Sequence, residues 1–313
     1  MTIRYCIKRL LVAMISLFIV TSVVFFLLRL MPIEGYFNDF DSLTDLQIQN
    51  GIRKLGLDKP LIVQWKDFFI QLFHGNLGIA HRYRRDYPVS NLLADKMPIS
   101  FMFGMISMVI SVPIGFVFGV IMSQHKEKPI GYIGQGYIIA IQAIPAAIYY
   151  LVIQMQGSSL FGVRMIYRIG EPSSAVLPII SLALPSIAGY AMCTERFMLE
   201  AYEEEYVLTA KAKGVPRNTI AFKHVLRNAV LPLVQQLPSS ILATLCGSLY
   251  IESIYSIPGM GKLLVDGINL QDNELVQGVV LVYTTLGIAG MLLGDILTAM
   301  VDPRIKFEGK KNG

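Results

Sequence analysis

The stretch MPISFMFGMISMVISVPIGFVFGVIMSQ runs from Met97 to Gln124 and contains no Asp, Glu, Lys or Arg. A helix needs about 20 mostly apolar residues to cross the hydrocarbon core of a bilayer, so this stretch is long enough for one crossing. Five other long stretches lack the same four residue types: Leu10–Leu28, Pro129–Val163, Pro172–Thr194, Asn228–Ile251 and Leu275–Gly294. The pattern predicts an all-α membrane protein with six transmembrane helices.

The composition is that of a protein whose main solvent is lipid. Of the 313 residues, 54% are hydrophobic and 16% are charged, whereas an average soluble domain is about 25% charged. These values exclude a cytosolic enzyme, a disordered tail protein and a disulfide scaffold. The three cysteines and four histidines are scattered along the chain, so we expect neither a disulfide framework nor a metal site.

Two of the six stretches need interpretation. Pro145 lies near the middle of Pro129–Val163, and residues 154–159 of that stretch are mostly polar. We therefore expect one crossing followed by a loop rather than two crossings.

The first stretch has a basic start like a signal peptide, but it is longer than the usual signal-peptide core of about 7–15 residues, and no small-residue cleavage site follows. It is predicted to be a retained anchor.

Glycines four residues apart occur in two of the apolar stretches, at Gly115 and Gly119 and at Gly290 and Gly294. Such spacing allows the backbones of two helices to approach closely. The sequence therefore predicts a tightly packed bundle in which these helices need neighbours.

The positions of lysine and arginine predict the orientation, because short cytoplasmic loops are enriched in both. If the N-terminus lies inside, 15 of the 27 basic residues fall on the inner side, and the two short outer loops hold only Arg164, Arg168 and Lys262. Both termini are then cytoplasmic. The chain divides into an N-terminal end with the first helix (1–31), an extracytoplasmic segment with short helices (32–96), a core of five helices (97–301) and a cytoplasmic tail (302–313).

The outer segment contains one clear helical pattern. Apolar residues recur at helical spacing from Leu61 to Phe73, after Pro60 and before Gly75, which indicates a helix with a stop signal. Its apolar stripe is expected to lie on the membrane surface or against the ends of the spans. Trp65 fits an anchor at the membrane interface better than a binding residue.

The inner loop 195–227 is the most informative polar stretch. Acidic residues fill its first part and basic residues its second part. Gly214 can adopt the left-handed conformation that ends a helix, and Pro216 suits the first turn of the next one. The sequence predicts an elbow, roughly Glu203 to Lys223, with a corner at Gly214–Val215 and a second amphipathic helix that runs to Pro232. The elbow is either a loop whose basic residues touch anionic lipid or a docking surface for a cytoplasmic partner.

Motifs that would indicate chemistry in this chain are missing. The string Gly259–Lys262 lacks the first glycine and the final hydroxyl of a phosphate-binding loop, and neither H-E-x-x-H nor G-x-S-x-G occurs. No ionisable pair lies in the middle of a span, where a proton relay would need it. Asp295, near the inner end of the last span, is interpreted as structural or interfacial. The chain is predicted not to be an enzyme and to have no catalytic residue.

Four blocks of sequence stand in a particular order along the chain: Leu55–Leu61 with Gly75–Gly78 and Pro88-Val89; Tyr206–Gly214 with Leu226–Pro232; Glu252–Leu264; and Asp302-Pro303-Arg304 after Asp295. In this order they resemble the inner-membrane permease subunits of peptide-type ABC importers. The likeness is closest to the first of the two permeases in oligopeptide, dipeptide and nickel systems, and it runs almost from end to end.

The chain departs from that family's pattern at several positions. Residues 32–35 read Pro-Ile-Glu-Gly instead of Pro-Gly-Asp-Pro, and Asn76 stands where the family usually has aspartate. Met192 and Glu195 replace common arginines, and Met291 replaces a common asparagine. None of these positions lies in the elbow, so the transport assignment stands, but they weaken any statement about the substrate.

The resemblance implies a type I ABC importer permease fold in a prokaryotic plasma (inner) membrane. It implies that the chain forms the pore with a second homologous permease, that an extracytoplasmic substrate-binding protein delivers the solute, and that two ATP-binding subunits dock on the inner side. ATP and magnesium would bind to those partner subunits, and this chain would hold no cofactor or metal. Membrane lipid is the other expected partner, and nucleic acid is not expected.

The resemblance also implies candidate site residues. Residues expected to couple to an ATP-binding subunit are Glu203, Tyr206, Ala210, Lys211, Ala212, Lys213, Gly214, Val215, Pro216 and Arg217. Three of them are expected to form a compact packing surface, namely Tyr206, Ala210 and Val215, while the basic residues orient it on the partner. Residues expected in the pore or in structural motifs are Pro145, Glu252, Pro258, Gly259, Gly261 and Asp295.

The substrate stays open at this point. Import of oligopeptides or dipeptides is the first expectation, and a nickel chelate or another small solute is the alternative within the class. An autonomous secondary carrier or channel is the alternative from a different class, and an intramembrane enzyme is a third. The absence of a mid-span ionisable pair disfavours the carrier, and the absence of a nucleophile or metal constellation disfavours the enzyme.

Overall fold

The computed structural model describes residues 3–37, 40–216 and 219–301, and these are mostly helical. The helices are α1 (Ile3–Arg29), α2 (Asp45–Leu55), α3 (Leu61–Phe73), α4 (Val89–Gln124), α5 (Pro129–Ala143), α6 (Ala146–Phe161), α7 (Val176–Tyr202), α8 (Glu205–Ala212), α9 (Leu226–Cys246), α10 (Leu249–Ile254), α11 (Met260–Asn269) and α12 (Asn273–Val301). The described strands β1 (Ile79–Ala80) and β2 (Tyr87–Pro88) pair antiparallel, with Ile79 opposite Pro88.

Among the described residues, five helical segments are long and apolar enough to cross a membrane: Ile7–Arg29, Val89–Gln124, Pro172–Tyr202, Ile220–Ile254 and Asn273–Leu297. The pair α5 and α6 is a sixth candidate if the two helices count as one broken span. The predicted fold class, an all-α membrane protein with six transmembrane helices, is confirmed on that count.

The third apolar stretch differs from the prediction of one crossing followed by a loop. Helices α5 and α6 are inclined by 106° at a break around Pro145. Ile144 is extended (φ −86°, ψ 127°), as expected for a residue that precedes proline. The polar residues 154–159 lie inside α6, where the Gln154 side chain donates hydrogen bonds to the carbonyls of Met165 and Ile254, both at 2.9 Å. Because these contacts satisfy the polar side chain, the helix continues through the segment predicted as a loop.

The helix that follows the elbow also differs from the prediction, because it does not end at Pro232. A π-helical turn at Ile220–Val225 leads directly into α9, which continues through Pro232 and Pro238 to Cys246. A proline removes one backbone hydrogen bond from a helix, and here packing of α9 against α12, α4 and α7 outweighs that loss.

The close helix contacts predicted from glycine spacing are present. A Cβ atom added at Gly119 of α4 would lie 2.5 Å from the carbonyl oxygen of Ala191 in α7. A Cβ added at Gly294 of α12 would lie 2.8 Å from the carbonyl oxygen of Gln235 in α9. The other glycine of each pair is similarly close to the same partner helix. Two backbone-to-backbone approaches, α4 with α7 and α9 with α12, therefore organise the bundle.

The outer segment packs against the flank of α1. The predicted helix Leu61–Phe73 is present with those bounds. The indole N–H of Trp65 donates to Ser22 Oγ at 3.1 Å, and the rings of Trp65 and Phe69 lie 5.6 and 5.1 Å from the Phe18 ring. The apolar stripe therefore faces the first span.

A polar clamp that the sequence did not reveal joins the outer hairpin to the last span. Asp272 is fully buried, and its Oδ2 accepts hydrogen bonds from the backbone N–H groups of residues 81–83 at 2.8–3.0 Å. The Arg82 side chain donates to the carbonyls of Phe37 and Glu34 at 3.2 and 2.9 Å. Beneath the clamp lies a cluster of buried apolar residues from α4, α11 and α12. This arrangement fixes the outer end of the bundle.

Candidate functional site

A groove lined by hydroxyl groups opens between α4, α7, α9 and α10, with a volume of about 280 Å³. On α4, Ser100, Ser107 and Ser111 share one helical face that points into it. The facing helices contribute Ser186, Tyr190, Ser240 and Thr244, and Ser248 stands just before α10. Apolar side chains fill the spaces between these residues. The groove therefore offers neutral hydrogen-bonding groups along an otherwise apolar path.

Some of these hydroxyl groups have their proton already engaged. Ser186 Oγ donates to the carbonyl of Leu182 at 3.0 Å, and Thr244 Oγ1 donates to the carbonyl of Ile241 at 2.6 Å. Since a hydroxyl has two further lone pairs, such groups act as acceptors toward the groove. An N–H donor of a passing solute would suit them.

Glu252 lies at the outer end of the groove and is 3% exposed. Its Oε1 accepts a hydrogen bond from Ser100 Oγ at 2.7 Å, and its Oε2 accepts from the backbone N–H groups of Gly261 and Lys262 at 2.7 and 3.1 Å. Ser100 Oγ also accepts from the N–H of Met260 at 2.7 Å. The first N–H groups of α11 lack helical partners and carry partial positive charge, so the side-chain oxygens of Glu252 serve as acceptors for them. We call Glu252, Ser100 and these N–H groups the outer node.

Glycines shape the space around the outer node. Gly247 has φ +70°, and a Cβ there or at Gly259 would collide with the carboxylate of Glu252. A Cβ at Gly261 would collide with the backbone before α10. Pro258 is half-buried in the loop that leads to Gly259. Four of the predicted motif residues, Glu252, Pro258, Gly259 and Gly261, are thus brought together at one place.

The elbow directly follows the last residue of α7, Tyr202. Gly214 has φ +73°, its N–H donates to the carbonyl of Lys211 at 3.0 Å, and the N–H of Val215 donates to the carbonyl of Ala210 at 3.1 Å. This left-handed end of α8 is the conformation that favours glycine over residues with a Cβ. The predicted corner at Gly214–Val215 is therefore present. Pro216 follows it, and its carbonyl accepts from the N–H of Ile220 at 3.0 Å.

One face of the elbow packs on this chain's own helices. Val207 and Ala210 are buried in a cluster with Met198 of α7 and with residues of the π turn and α9. Tyr206 and Val215 flank that cluster and are half-buried. The surface formed by Tyr206, Ala210 and Val215, expected to pack on a partner, therefore faces inward in this structure. The reason is that an eight-residue helix is held in place only when its apolar face is covered by neighbouring helices.

The opposite face of the elbow is exposed. Leu208 is 56% exposed, and the following residues are exposed too: Lys211, Ala212, Lys213, Gly214 and Pro216. Arg217 lies outside the described residues. Leu208 is the large apolar side chain on this face, with Glu204 and Glu205 one turn before it and Lys211 one turn after it. The face therefore suits a partner with an apolar pocket and charged groups of both signs nearby.

A wide cavity of about 780 Å³ lies between the elbow and the ends of α7 and α9. Charged side chains of both signs line it: Glu200, Glu204, Lys223 and Arg227. At its wall, Asn228 Nδ2 donates to the hydroxyl of Tyr206 at 2.8 Å, which ties α8 to α9. The elbow is thus attached to the two helices that also line the groove.

The remaining predicted residues lie apart from both places. Glu203 is exposed in the short connection between α7 and α8. Pro145 lies at the break between α5 and α6 and is not among the residues that line the groove. Asp295 forms an ion pair with Arg9 at 2.9 Å, which joins α12 to α1. Within the described ranges, no group of three His, Cys, Asp or Glu side chains is arranged to hold a metal ion.

Sequence reasoning missed the hydroxyl face of the groove. The available signal was the spacing of Ser100, Ser107 and Ser111, which places three small polar residues on one face of an apolar span. The facing hydroxyl groups come from segments distant in sequence, and only the packing of the helices brings them opposite that face.

Comparison with protein families identifies the class. Residues 115–307 match the family described as binding-protein-dependent transport system inner membrane component, and residues 2–103 match the N-terminal region described for the same membrane components. The chain belongs to this family of ABC importer permeases, which are multi-pass proteins of the bacterial inner membrane. The resemblance seen in the sequence and the predicted location are confirmed.

Curated relatives match this chain over almost its whole length. The dipeptide transport system permease protein DppB of Lactococcus lactis subsp. cremoris is 30% identical over 309 residues, which cover 97% of this chain and 100% of the relative. The DppB protein of Bacillus subtilis is 31% identical, covering 98% and 99%. The oligopeptide transport system permease protein OppB of Salmonella typhimurium is 29% identical, covering 97% and 99%.

A solved structure has the same fold. The structure described as an amino acid ABC transporter with histidines superimposes with a TM-score of 0.54 and 17% sequence identity, covering 68% of this chain and 95% of that chain. At this identity the likeness concerns the fold alone, which is the type I permease fold.

Proposed function

We propose that this chain is a permease subunit of an ATP-driven, binding-protein-dependent importer for dipeptides or oligopeptides. It forms the translocation path together with a second related permease, receives its solute from an extracytoplasmic binding protein, and is coupled by the elbow to separate ATP-binding subunits. ATP and magnesium are bound by those subunits. The peptide substrate is inferred from the names of the relatives in Lactococcus, Bacillus and Salmonella.

One observation carries the coupling proposal: the same two helices line the groove and hold the elbow. Helix α7 contributes Ser186 and Tyr190 to the groove and ends at the elbow. Helix α9 contributes Thr244 to the groove, and near its start Asn228 donates a hydrogen bond to Tyr206 of the elbow. A displacement of the elbow would therefore move two walls of the groove together. Packed helices transmit such shifts because the interior between them is dense.

The lining of the groove is suited to a solute with many main-chain polar groups. Its hydroxyl groups can bond to amide N–H and carbonyl groups of any peptide, whatever the side chains. The oxygens of Glu252, the only carboxylate among the described lining residues, are already engaged within the outer node. The groove is therefore suited to neutral hydrogen bonding rather than to selection by charge.

The exposed face of the elbow supports docking of a partner. Leu208 is largely exposed, with Lys211 one turn further along α8, while the inward face of α8 is already covered. A ligand can shift an equilibrium only by binding one state better than the other. ATP binding below the membrane and the binding protein above it must therefore each favour one arrangement of the helices.

The test replaces Gly214 by valine and measures uptake of a labelled dipeptide by vesicles that contain the complete transporter. A β-branched residue is strained at φ +73°, so the corner should be lost and uptake should fall to background while the protein still inserts. The matched control is Gly136→Val, because Gly136 in α5 has open space around it and lies outside the elbow. That variant should transport normally.

Three outcomes would contradict the proposal. Unchanged uptake by Gly214→Val would remove the elbow from the mechanism. Accumulation of solute by this chain alone, without nucleotide or partner subunits, would indicate a secondary carrier. Uptake of a nickel chelate that is not inhibited by a large excess of dipeptides would indicate that the substrate is a metal complex and not a peptide.

A further inference from the structure

The outer surface of the molecule contains a basic cavity that is separate from the groove. It has a volume of about 310 Å³ and lies where the end of α1 meets α2, α3 and the start of α12. Its basic lining residues are Arg29, Arg53, Lys54 and Lys59, and its acidic ones are Asp67 and Glu274. Among the residues that the structure describes, none lines both this cavity and the groove.

The two carboxylates leave part of this basic charge uncompensated. Asp67 pairs with Lys59 at 2.7 Å. Glu274 Oε2 accepts from the backbone N–H of Ile79 at 2.7 Å, and its Oε1 lies 4.0 Å from His81 Nε2. No described carboxylate pairs with Arg29 within 4.0 Å. The cavity therefore carries excess positive charge centred on Arg29 and the end of α2.

Arg29 is the least satisfied of these residues. Its Nε and one terminal nitrogen are buried without a hydrogen-bond partner among the described residues. Its guanidinium lies 5.1 Å from the centre of the Phe25 ring and 4.9 Å from that of Tyr36. Burial raises the pKa of Tyr36, so that phenol stays neutral and does not compensate the charge. Nitrogen atoms of a cation that are buried without an acceptor carry a desolvation cost, which an anion beside them would offset.

The same cavity also offers a buried acceptor. Gln64 is 7% exposed, and its Nε2 donates to the carbonyls of Leu57 and Lys59 at 3.0 and 2.8 Å. Because these two bonds use both amide hydrogens, they fix the orientation of the amide. Gln64 Oε1 is left buried without a donor among the described residues. A ligand that satisfies the cavity must therefore present an anion and, beside it, an N–H or O–H donor.

The position of the cavity indicates which anion reaches it. Arg29 ends the first membrane span, and Phe68, which lines the cavity, stacks on Phe25 of that span at 5.2 Å between ring centres. Leu30 and Phe73 nearby are 80% and 85% exposed. A phosphate at the level of the lipid headgroups would lie beside Arg29, and an acyl chain could follow these apolar side chains.

We propose that this cavity is a binding site for a phosphate group whose neighbouring substituent carries a hydrogen-bond donor, as in the ethanolamine and glycerol headgroups of phospholipids. Arg29 binds the phosphate, and Gln64 Oε1 accepts from the ammonium or hydroxyl group. The bound molecule joins α1, α3 and the start of α12 at the outer surface.

The test uses the full chain in detergent and native mass spectrometry to follow the retention of four probes: phosphatidylethanolamine, phosphatidylglycerol, phosphatidylcholine and inorganic phosphate. We expect one molecule of the first two lipids to be retained, and phosphatidylcholine to bind more weakly because its headgroup has no N–H or O–H donor. Replacing Arg29 by glutamine should weaken retention about tenfold or more, since it removes a charge-assisted hydrogen bond.

A matched control separates the site from general surface charge. Arg164 is also an outer arginine, but it pairs with Glu171 at 2.7 Å and lies outside the cavity, so Arg164→Gln should retain lipid as the unchanged protein does. If Arg29→Gln does not fold, Lys54→Gln at the rim of the cavity takes its place, with a smaller loss expected. Equal retention by the cavity variant and the unchanged protein, or no retention of any probe, would overturn the proposal. Retention of inorganic phosphate that depends on Arg29 would support the site and identify a free anion as its ligand.

Discussion

The outer node and the elbow are opposite in how they are held. Both oxygens of Glu252 in the outer node are engaged, the residue is buried, and surrounding glycines leave no room for a further atom. The elbow is covered on one face, exposed on the other, and joined to α9 by a side-chain hydrogen bond at Tyr206. The comparison indicates a rigid outer end and an inner end that can be moved as a unit, because segments with fewer buried contacts open at lower free-energy cost.

The largest effect is expected at the outer node. Glu252→Ala removes three hydrogen bonds and leaves the N–H groups of Gly261 and Lys262 and the hydroxyl of Ser100 without that acceptor. The free energy of unfolding should fall by about 3 kcal/mol or more, at about 1 kcal/mol for each bond with an added cost for buried donors left unpaired. Thermal unfolding followed by circular dichroism in detergent would measure this.

The control for that prediction is an exposed glutamate. Glu200 pairs only loosely with Arg196, at 3.6 Å and with a 65% exposed side chain, so Glu200→Ala should change the stability by about 0.5 kcal/mol or less. If both variants melted at the same temperature, the outer node would not be more rigid than the surface, and the comparison would fail.

The second prediction separates the two faces of α8. Leu208 is 56% exposed and its neighbour Val207 is fully buried. Leu208→Asp should leave the melting temperature unchanged and reduce transport about tenfold, the equivalent of 1.4 kcal/mol of docking free energy. Val207→Asp places a charge in the apolar cluster and should destabilise the protein strongly.

Two measurements are needed for this pair: dipeptide uptake by the reconstituted transporter and thermal unfolding of each variant. Full transport by Leu208→Asp would show that the exposed face of the elbow does not contact a partner. A stable Val207→Asp would show that the inward face is not packed as described.

The smallest effect is expected from the hydrogen bond that ties the elbow to α9. Tyr206→Phe removes the acceptor of Asn228, and the bond is exposed, so the free energy of unfolding should fall by about 0.5–1.5 kcal/mol. Tyr132→Phe, at a 63% exposed position on α5, is the control and should have no effect. A loss at Tyr206 as large as that at Glu252 would mean that the elbow is held as firmly as the outer node.

Much of the fold followed from local patterns. The spans are apolar stretches whose length matches a bilayer, and the helix Leu61–Phe73 and the corner at Gly214 are set by residues within a few positions along the chain. The predictions that differ from the structure are those for segments whose conformation depends on contacts with residues far away in the chain. Residues 154–159 stay helical because Gln154 bonds to the carbonyls of Met165, in a loop, and of Ile254, at the end of α10. Helix α9 continues past Pro232 because it packs on three other helices.

The amino-acid sequence alone determined that this protein crosses a membrane, about how many times, where its inner loop turns, and which transporter family it resembles. These properties depend on hydrophobic length, on backbone preferences of glycine and proline, and on short motifs. Tertiary structure alone decided that Ala210 faces inward while Leu208 faces solvent, that Asp272 holds the outer hairpin, and that hydroxyl groups from three helices line one groove. Each of these depends on atoms that are far apart in the chain, and no local preference specifies which of them will meet.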